Sequence, residues 1–265
     1  MPVSASPGSL RPVSNTIALI PRTGLPLVQP GDDLAALLLE AARRCAEGLR
    51  DGDLLVIAQK IVSKSENRYV DLNTITPSAQ ALELAPLADK DPRIVQIVLD
   101  ESRAVLRHRK GAIVVEHKLG WVHANAGVDR SNIDGLERVL LLPEDPDRSA
   151  RQLRAAIRER TGRTVCIIIN DSAGRAFRNG VVGFALGTAG FQPLLNRIGD
   201  PDLFGKKLEI TEVAVADELA AAASFLMGQA DEGIPAVVVR GAQLQFSEEE
   251  GMRALIRSRE QDLFR

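Results

Sequence analysis

The sequence predicts a mixed α/β fold of the α+β class, and three observations support this prediction. Residues 164–170 form an apolar run that is typical of a strand buried on both faces. Residues 112–116 and 121–125 are two β-rich runs around a short turn, which predicts a hairpin. Helical segments occur between such runs without strict alternation of helix and strand, so we expect a mixed sheet.

Each further element is predicted from its apolar periodicity and its flanking residues. The predicted helices span residues 32–49, 93–107, 147–162 and the alanine-rich end of 208–226, with a closing helix after the capping box of Ser247 and Glu250. Two more strands are predicted at 53–58 and 235–241, and a short strand should precede the alanine-rich helix.

Composition limits the classes of function. The chain has 265 residues, 45% of them hydrophobic, and a net charge of −2. This near-neutral charge argues against a broad nucleic-acid-binding face, and no apolar run has the length of a membrane span. Cys45 and Cys166 lie in apolar segments and are interpreted as buried free thiols, which fits a cytoplasmic protein. Residues 1–15 are polar and Pro/Ser-rich, and we interpret them as a flexible arm before a domain at 16–265.

Asp171 is the first candidate for chemistry. It follows the apolar run 164–170, and ligands usually lie at the carboxyl ends of sheet strands. Ser172 adds a hydroxyl oxygen, and Arg175 and Arg178 follow within the same segment. Carboxylate, hydroxyl and guanidinium groups together suit a divalent metal that holds phosphates. The alternative interpretation is that Asp171 caps a helix that begins at Ser172.

A second candidate follows the predicted hairpin. Asp129 and Asn132 are three residues apart in AGVDRSN, where the carboxylate could bind metal and the amide a sugar or phosphate oxygen. The alternative is an Asx-type turn that leaves the hairpin. Lys60 and Lys64, four residues apart, suit phosphate binding, although a solvated surface is the more common reason for such a pair.

Several common catalytic patterns are absent from the sequence. There is no P-loop, no G-x-G-x-x-G after a strand, no C-x-x-C, no H-E-x-x-H and no G-x-S-x-G. The three histidines, His108, His117 and His123, are interpreted as surface or hairpin residues rather than zinc ligands. Hard oxygen ligands therefore favour Mg²⁺ or Mn²⁺ over Zn²⁺.

Seven motifs occur in one order along nearly the whole chain. They are GLPLVQPGDDL (24–34), DGDLLVIAQKIVSK (51–64), AGVDRSN (126–132), NDSAGRAFRNG (170–180), EVAVADELAAAA (212–223), MGQADEGIP (227–235) and VVVRG (237–241). Together they resemble the coenzyme F420-0:L-glutamate ligase family, also called the F420 γ-glutamyl ligases.

This resemblance implies a fold and a reaction. The implied fold has two interlocked lobes, and two chains intertwine into a homodimer. The implied reaction uses GTP and Mg²⁺ or Mn²⁺ to activate a carboxylate of coenzyme F420-0 as an acyl phosphate. The amine of L-glutamate then forms an amide, with release of GDP and phosphate, and further γ-linked glutamates can follow. K⁺ is a further candidate cation.

The resemblance also implies site residues, position by position. Asp129, Asp171 and Ser172 would hold metal, and Asp129 and Asp171 would act in catalysis together with Arg175, our own addition. The implied nucleotide contacts are Leu25, Pro26, Leu27, Val28, Gln59, Lys60, Lys64, Asn132, Met227, Gly228, Gln229, Ala230, Asp231, Glu232 and Gly233.

Two positions depart from the family pattern, because Gln59 and Ser172 stand where Ser and Thr are common. Both remain polar, so we expect the function to be retained. Two alternatives stay open. One is a related amino-acid ligase with a different acceptor, and the other is a non-catalytic nucleotide-binding module.

Overall fold

The computed structural model describes residues 16–45 and 47–263, so the predicted arm at 1–15 lies outside the described residues. The α-helices of this part are α1 (Leu34–Arg44), α2 (Gln59–Ser65), α3 (Ala79–Ala88), α4 (Pro92–Asp100), α5 (Pro146–Thr161) and α6 (Val215–Met227). The strands are β1 (Ala18–Arg22), β2 (Leu54–Ala58), β3 (Tyr69–Asp71), β4 (Ser102–Arg109), β5 (Ala112–His117), β6 (Val122–Ala124), β7 (Arg138–Leu140), β8 (Cys166–Arg175), β9 (Arg178–Ala189), β10 (Leu195–Asn196), β11 (Glu212–Val213) and β12 (Ala236–Arg240).

The main sheet has five strands in the order β1-β12-β2-β8-β9. Strands β2 and β8 are parallel, and every other neighbouring pair is antiparallel. The predicted apolar run 164–170 therefore lies between two strands, and Cys166–Ile169 are fully buried. The mixed sheet of the predicted α+β class is confirmed.

Helices cover both faces of this sheet because its strands are apolar on both sides. On one face, Leu38 of α1 and Ile157 of α5 pack with Ile167 and Ile169 in one cluster. On the other face, Ala220 and its small neighbours in α6 lie against β8 and β12. The small alanine side chains let α6 approach the sheet closely, which brings the loop after α6 to the end of β2.

A separate part of the core surrounds the three-stranded sheet β4-β5-β6. Helices α3 and α4 cover it, with Ala85, Val95 and Val98 packed on Ile113 and Val115. The predicted hairpin is confirmed as β5 and β6, in antiparallel register. The division into interlocked lobes and the intertwined dimer stay predictions.

Helix α5 forms where the sequence predicts it. Asp145 caps its first turn by accepting a hydrogen bond from the backbone N–H of Arg148 at 2.9 Å. Gly162 ends it in the left-handed conformation, with φ of 69°, which glycine adopts without steric cost.

Two predicted helices were too long. The helix predicted at 93–107 ends at Asp100, and residues 102–109 form β4 instead. Here the pairing with β5, rather than the local helical periodicity, determines the conformation of the chain. The helix predicted at 32–49 ends at Arg44, because Cys45 adopts an extended conformation. Cys45 is consequently half-buried, so its predicted burial was wrong, whereas Cys166 is a buried free thiol as predicted.

The predicted closing helix was also wrong. The Ser247 hydroxyl does accept long contacts from the N–H groups of Glu249 and Glu250. The described residues beyond them form only short 3₁₀ turns at Met252–Leu255 and Arg259–Gln261. Within the described residues, no helix is both long and apolar enough to cross a membrane.

The crossing of β9 and α5 gives a stability prediction. A Cβ at Gly187 would lie 2.4 Å and 2.5 Å from the backbone C and O of Pro146. Gly187→Ala should therefore lower the free energy of unfolding by about 1–3 kcal/mol, measured by urea denaturation. Gly174→Ala is the matched control, because a Cβ there meets no atom within 4 Å. Equal stability of the two variants would contradict this packing.

Candidate functional site

The parallel pairing of β2 and β8 brings two predicted site segments to one edge of the main sheet. Ala58 at the end of β2 lies opposite Asn170 of β8, and α2 begins at the next residue, Gln59. Because the carboxyl ends of parallel strands meet at the same edge, Lys60 in the first turn of α2 lies near the end of the strand that continues into Asp171.

Asp129 and Lys60 form an ion pair at this edge. The Lys60 Nζ lies 2.7 Å from Asp129 Oδ2. It also donates to the hydroxyl of Ser131 at 2.9 Å and to the carbonyl of Ser131 at 3.1 Å. All three donors of the ammonium group are thus used within the segment that carries Asp129.

The second oxygen of Asp129 shapes its own loop. Asp129 Oδ1 accepts a hydrogen bond from the N–H of Ser131 at 2.7 Å, so the Asx-type turn is confirmed. Burial alone would raise the pKa of Asp129, but the Lys60 ammonium and the Ser131 donors outweigh it and lower the pKa below its usual value. The carboxylate is therefore held charged in a half-buried position.

Lys64 and Asn132 connect this loop to a third segment. Lys64 Nζ donates to the carbonyl of Asn132 at 2.7 Å, and Asn132 Nδ2 donates to the carbonyl of Ala230 at 3.1 Å. Burial, and then the neighbouring Lys60 ammonium, lower the pKa of Lys64. The two lysines are half-buried and bonded rather than freely solvated, and they join α2, the Asp129–Asn132 segment and the loop after α6.

The loop after α6 folds around a carboxylate. Glu232 accepts a hydrogen bond from the backbone N–H of Ala230 at 2.8 Å, and this and other backbone N–H donors lower the pKa of Glu232. Gly228 has φ of 73°, and a Cβ there would collide with the Glu232 carboxyl group at 2.0 Å. Gln229 reaches back to the hydroxyl of Ser224 at 3.3 Å. Asp231 and Gly233 are exposed in the same loop.

Asp171 lies against His123 of the hairpin. His123 Nε2 is 3.3 Å from Asp171 Oδ2, and the two side chains are 9% and 18% exposed. His123 Nδ1 lies 2.8 Å from the carbonyl of Ala124. Burial alone would lower the pKa of His123, but the Asp171 carboxylate and the Ala124 carbonyl raise it above its usual value. The hairpin and the main sheet thus meet at the second predicted metal-binding aspartate.

Asp171 does not cap a helix, so that alternative was wrong. Strand β8 continues through Asp171, which pairs with Phe184, to Arg175. A hairpin turn follows, and Arg175 and Arg178 lie exposed near its tip, where Arg175 donates to the carbonyl of Asn179 at 3.3 Å. The predicted convergence of these arginines on Asp171 was wrong, because the strand pairing with β9 extends the segment away from the sheet edge.

Ser172 faces away from Asp171. Ser172 pairs with Gly183, and a Cβ on Gly183 would touch Ser224 and Ala220 of α6. Successive side chains of a strand point to opposite faces, so Ser172 faces α6 while Asp171 faces His123. Metal binding by Ser172 stays a prediction that requires a local change in the strand.

The other predicted nucleotide contacts lie around α2. Gln59 is buried, and its Oε1 accepts a hydrogen bond from Ser63 at 2.9 Å. In the segment Leu25–Val28, Leu27 is exposed and Val28 is buried. The N–H of Gly31 donates to the carbonyl of Ser65 at 2.9 Å, which holds the chain after this segment against the end of α2. Their contacts with a nucleotide stay predictions.

The donor set suits a hard divalent cation. Among the described residues, no three His, Cys, Asp or Glu side chains gather into a complete metal-binding group. Mg²⁺ usually takes one or two carboxylates and completes its shell with water and phosphates. The Lys60 ammonium lies 2.7 Å from Asp129, so this carboxylate already binds a positively charged group. Asp129 and Asp171 each offer the carboxylate oxygens that such a cation prefers, and their binding of one metal stays a prediction.

Sequence reasoning missed Asn170, His123 and Ser131. Asn170 is buried; its Nδ2 lies 3.6 Å from the Met227 sulfur, and its Oδ1 has no hydrogen-bond partner among the described residues. A polar residue at the end of an apolar strand was the available signal for Asn170. For His123 the signal was its position at an inward-facing place in the hairpin, because His123 and Val115 are opposite each other.

The chain matches a known protein family over most of its length. The family described as F420-0:Gamma-glutamyl ligase matches residues 23–241, most of the chain and all segments of the site. The chain belongs to this family.

Some curated relatives are similar to this family member over nearly the full length of its chain. A protein named coenzyme F420:L-glutamate ligase from Methanothermobacter thermautotrophicus is 49% identical over 94% of this chain and 99% of its own length. The protein of that name from Methanocaldococcus jannaschii is 48% identical over 82% of this chain and 86% of its length. The one from Archaeoglobus fulgidus is 45% identical over 94% and 96%.

The ion pair of this family member gives a prediction about charge. Lys60→Met should raise the pKa of Asp129, because burial then acts on the carboxylate without its counter-charge. Carboxyl ¹³C NMR titration, with the signal assigned by Asp129→Asn, measures the pKa. Lys110→Met is the control, since Lys110 pairs with the exposed Asp89 at 3.1 Å. An unchanged pKa of Asp129 in Lys60→Met would refute the ion pair.

Proposed function

We propose that the chain is a ligase that joins L-glutamate to coenzyme F420-0, with GTP and a divalent metal as the source of activation. Membership of the family and the names of the relatives support the substrates. The network in which Lys60 and Lys64 hold the Asp129–Asn132 segment supports a site for phosphates and metal. This network is the observation on which the proposal chiefly rests.

The charges of the site match those of a nucleoside triphosphate. Lys60 and Lys64 project from one face of α2 at a spacing of four residues; Lys60 is paired with Asp129, and the charge of Asp129 also acts on Lys64. Asp129 and Asp171 would hold Mg²⁺ or Mn²⁺, and a metal bound there would neutralise negative charge on the phosphoryl group that is transferred. Once phosphates enter, Lys60 can exchange its contact with Asp129 for a phosphate oxygen.

In this proposal, the loop after α6 closes over the bound nucleotide. Asn132 already joins the Asp129 segment to this loop through Ala230. The backbone N–H groups that bind the Glu232 carboxylate are also suited to phosphate oxygens. Closing this loop would exclude water, which protects an activated carboxylate from hydrolysis.

The proposed reaction has two steps. A carboxylate oxygen of F420-0 attacks the γ-phosphorus of GTP, and the bond to the β,γ-bridging oxygen breaks, which yields an acyl phosphate and GDP. The amine nitrogen of L-glutamate then attacks the acyl carbon, phosphate leaves, and the amine loses a proton. The lysines and Asn132 contribute by binding and orienting the phosphates.

Product mass tests this function directly. The protein is incubated with F420-0, L-glutamate, GTP and Mn²⁺ or Mg²⁺, and we expect a mass gain of one or more glutamyl units together with GDP. No gain with F420-0 but GDP release with another acceptor would indicate a ligase of different specificity. GTP binding without any turnover would indicate a nucleotide-binding module.

The two aspartates should be essential for this turnover. Asp129→Asn and Asp171→Asn should each lower the rate of amide formation by roughly 100-fold or more, because metal stabilisation of the transition state is worth several kcal/mol. Asp89→Asn is the matched control, since Asp89 forms a lysine pair on the surface. Wild-type rates in either site variant, with circular dichroism unchanged, would remove that aspartate from the metal site.

We also propose that two chains form a homodimer. The segment between β10 and β11 presents a turn whose apolar side chains are almost fully exposed, with Leu203 100% and Phe204 95% accessible. Such a patch usually marks an interaction site, and self-association is the commonest use. Sedimentation analysis should give twice the chain mass, and Phe204→Asp should shift it towards one chain. A wild-type monomer would contradict the dimer.

A further inference from the structure

His123 has the geometry of a metal ligand. Its Nδ1 lies 2.8 Å from the Ala124 carbonyl, which can only accept a hydrogen bond, so Nδ1 is the donor. The other ring nitrogen, Nε2, has no hydrogen-bond partner among the described residues, although the side chain is more than nine-tenths buried. A histidine whose second nitrogen is fixed by a backbone carbonyl is the usual arrangement around a bound metal.

Nε2 faces the carboxylate of Asp171. The 3.3 Å between Nε2 and Asp171 Oδ2 is an ion-pair distance, but the alignment is not that of a hydrogen bond. Two ligands at right angles on one octahedral ion, each about 2.1 Å from it, are about 3.0 Å apart. The observed separation is therefore close to that of two neighbouring ligands of a single cation.

The ring is held in this orientation by its surroundings. His123 lies in β6 opposite Val115 of β5, and its ring packs against Phe184 with centroids 5.6 Å apart. Phe184 in turn pairs with Asp171 across β8 and β9. Strands β8 and β9 thus position the Asp171 carboxylate and also the Phe184 ring that holds the imidazole of His123 in place.

We propose that His123 is a nitrogen ligand of the divalent metal that Asp171 holds. The inference rests on the metal site of the proposed function and adds a ligand of a different chemical class to it. Carboxylate and water ligands alone suit Mg²⁺, whereas imidazole favours first-row transition metals. With His123 as a ligand, the site should bind Mn²⁺ more tightly than Mg²⁺.

Pulsed electron paramagnetic resonance tests the nitrogen ligand without any substitution. The full chain is loaded with Mn²⁺ in the presence of GTP, once unlabelled and once with ¹⁵N-histidine. We expect nitrogen modulation of directly bound imidazole that changes on labelling. With only three histidines in the chain, His123→Asn and His108→Asn assign it, because His108 is exposed on β4. The signal should vanish in His123→Asn and persist in His108→Asn.

Metal affinity provides the second measurement. His123→Asn, whose amide can still donate to the Ala124 carbonyl, should raise the Kd for Mn²⁺ at least about tenfold and change the Kd for Mg²⁺ less. His123→Gln places an amide oxygen near the position of Nε2 and should restore part of the Mn²⁺ affinity. Thermal unfolding confirms that both variants fold.

The outcomes separate the two proposals. Bound Mn²⁺ without histidine coupling overturns the assignment of His123 and leaves the aspartate site standing. A protein that binds no Mn²⁺ with or without GTP overturns both the ligand and the metal of the proposed function. Equal loss of Mn²⁺ and Mg²⁺ affinity in His123→Asn would show that the residue only supports Asp171.

Discussion

The parallel pairing of β2 with β8 determines where the candidate site forms. Leu54–Ile57 lie opposite Cys166–Ile169, and all of these residues are buried. A shift of register by one residue would exchange the side chains that pack on α6 with those that pack on α1 and α5, and because each face is closely packed by its own set of residues, the register is fixed. Because both strands run in the same direction, α2 begins beside the strand that continues into Asp171. The positions of Lys60 and Lys64 follow from this pairing.

Charge compensation is the second constraint. A buried carboxylate is costly unless it is paired, and each candidate metal-binding aspartate has a basic partner from another element. Lys60 of α2 faces Asp129, and His123 of β6 faces Asp171. The chain thus neutralises the charge of its own candidate site. In the proposed function, metal and phosphates would enter by exchanging these contacts, so the same interactions would prepare the site for cations and anions.

The main elements could be predicted because their signals are local. Periodicity and caps identify α5, with Asp145 at its start and Gly162 at its end, and an apolar run identifies β8. The errors arose where distant pairing decides the structure. Residues 102–109 become β4 because β5 offers a partner, and β8 passes beyond Asp171 because β9 pairs with it. Sequence motifs pointed to Asp129 and Asp171. The alternation of the hairpin indicates that His123 faces inward, but its contact with Asp171 depends on the meeting of two sheets, which no local pattern predicts.

The most direct measurement is a crystal structure of the chain with GTP and Mn²⁺. In the structure, Lys60 Nζ is 2.7 Å from Asp129 Oδ2. We expect this contact to open beyond hydrogen-bond distance, with Lys60 on a phosphate oxygen and Mn²⁺ bound to Asp129 and Asp171. An intact ion pair between Lys60 and Asp129, with nucleotide or metal bound elsewhere on the chain, would contradict the account.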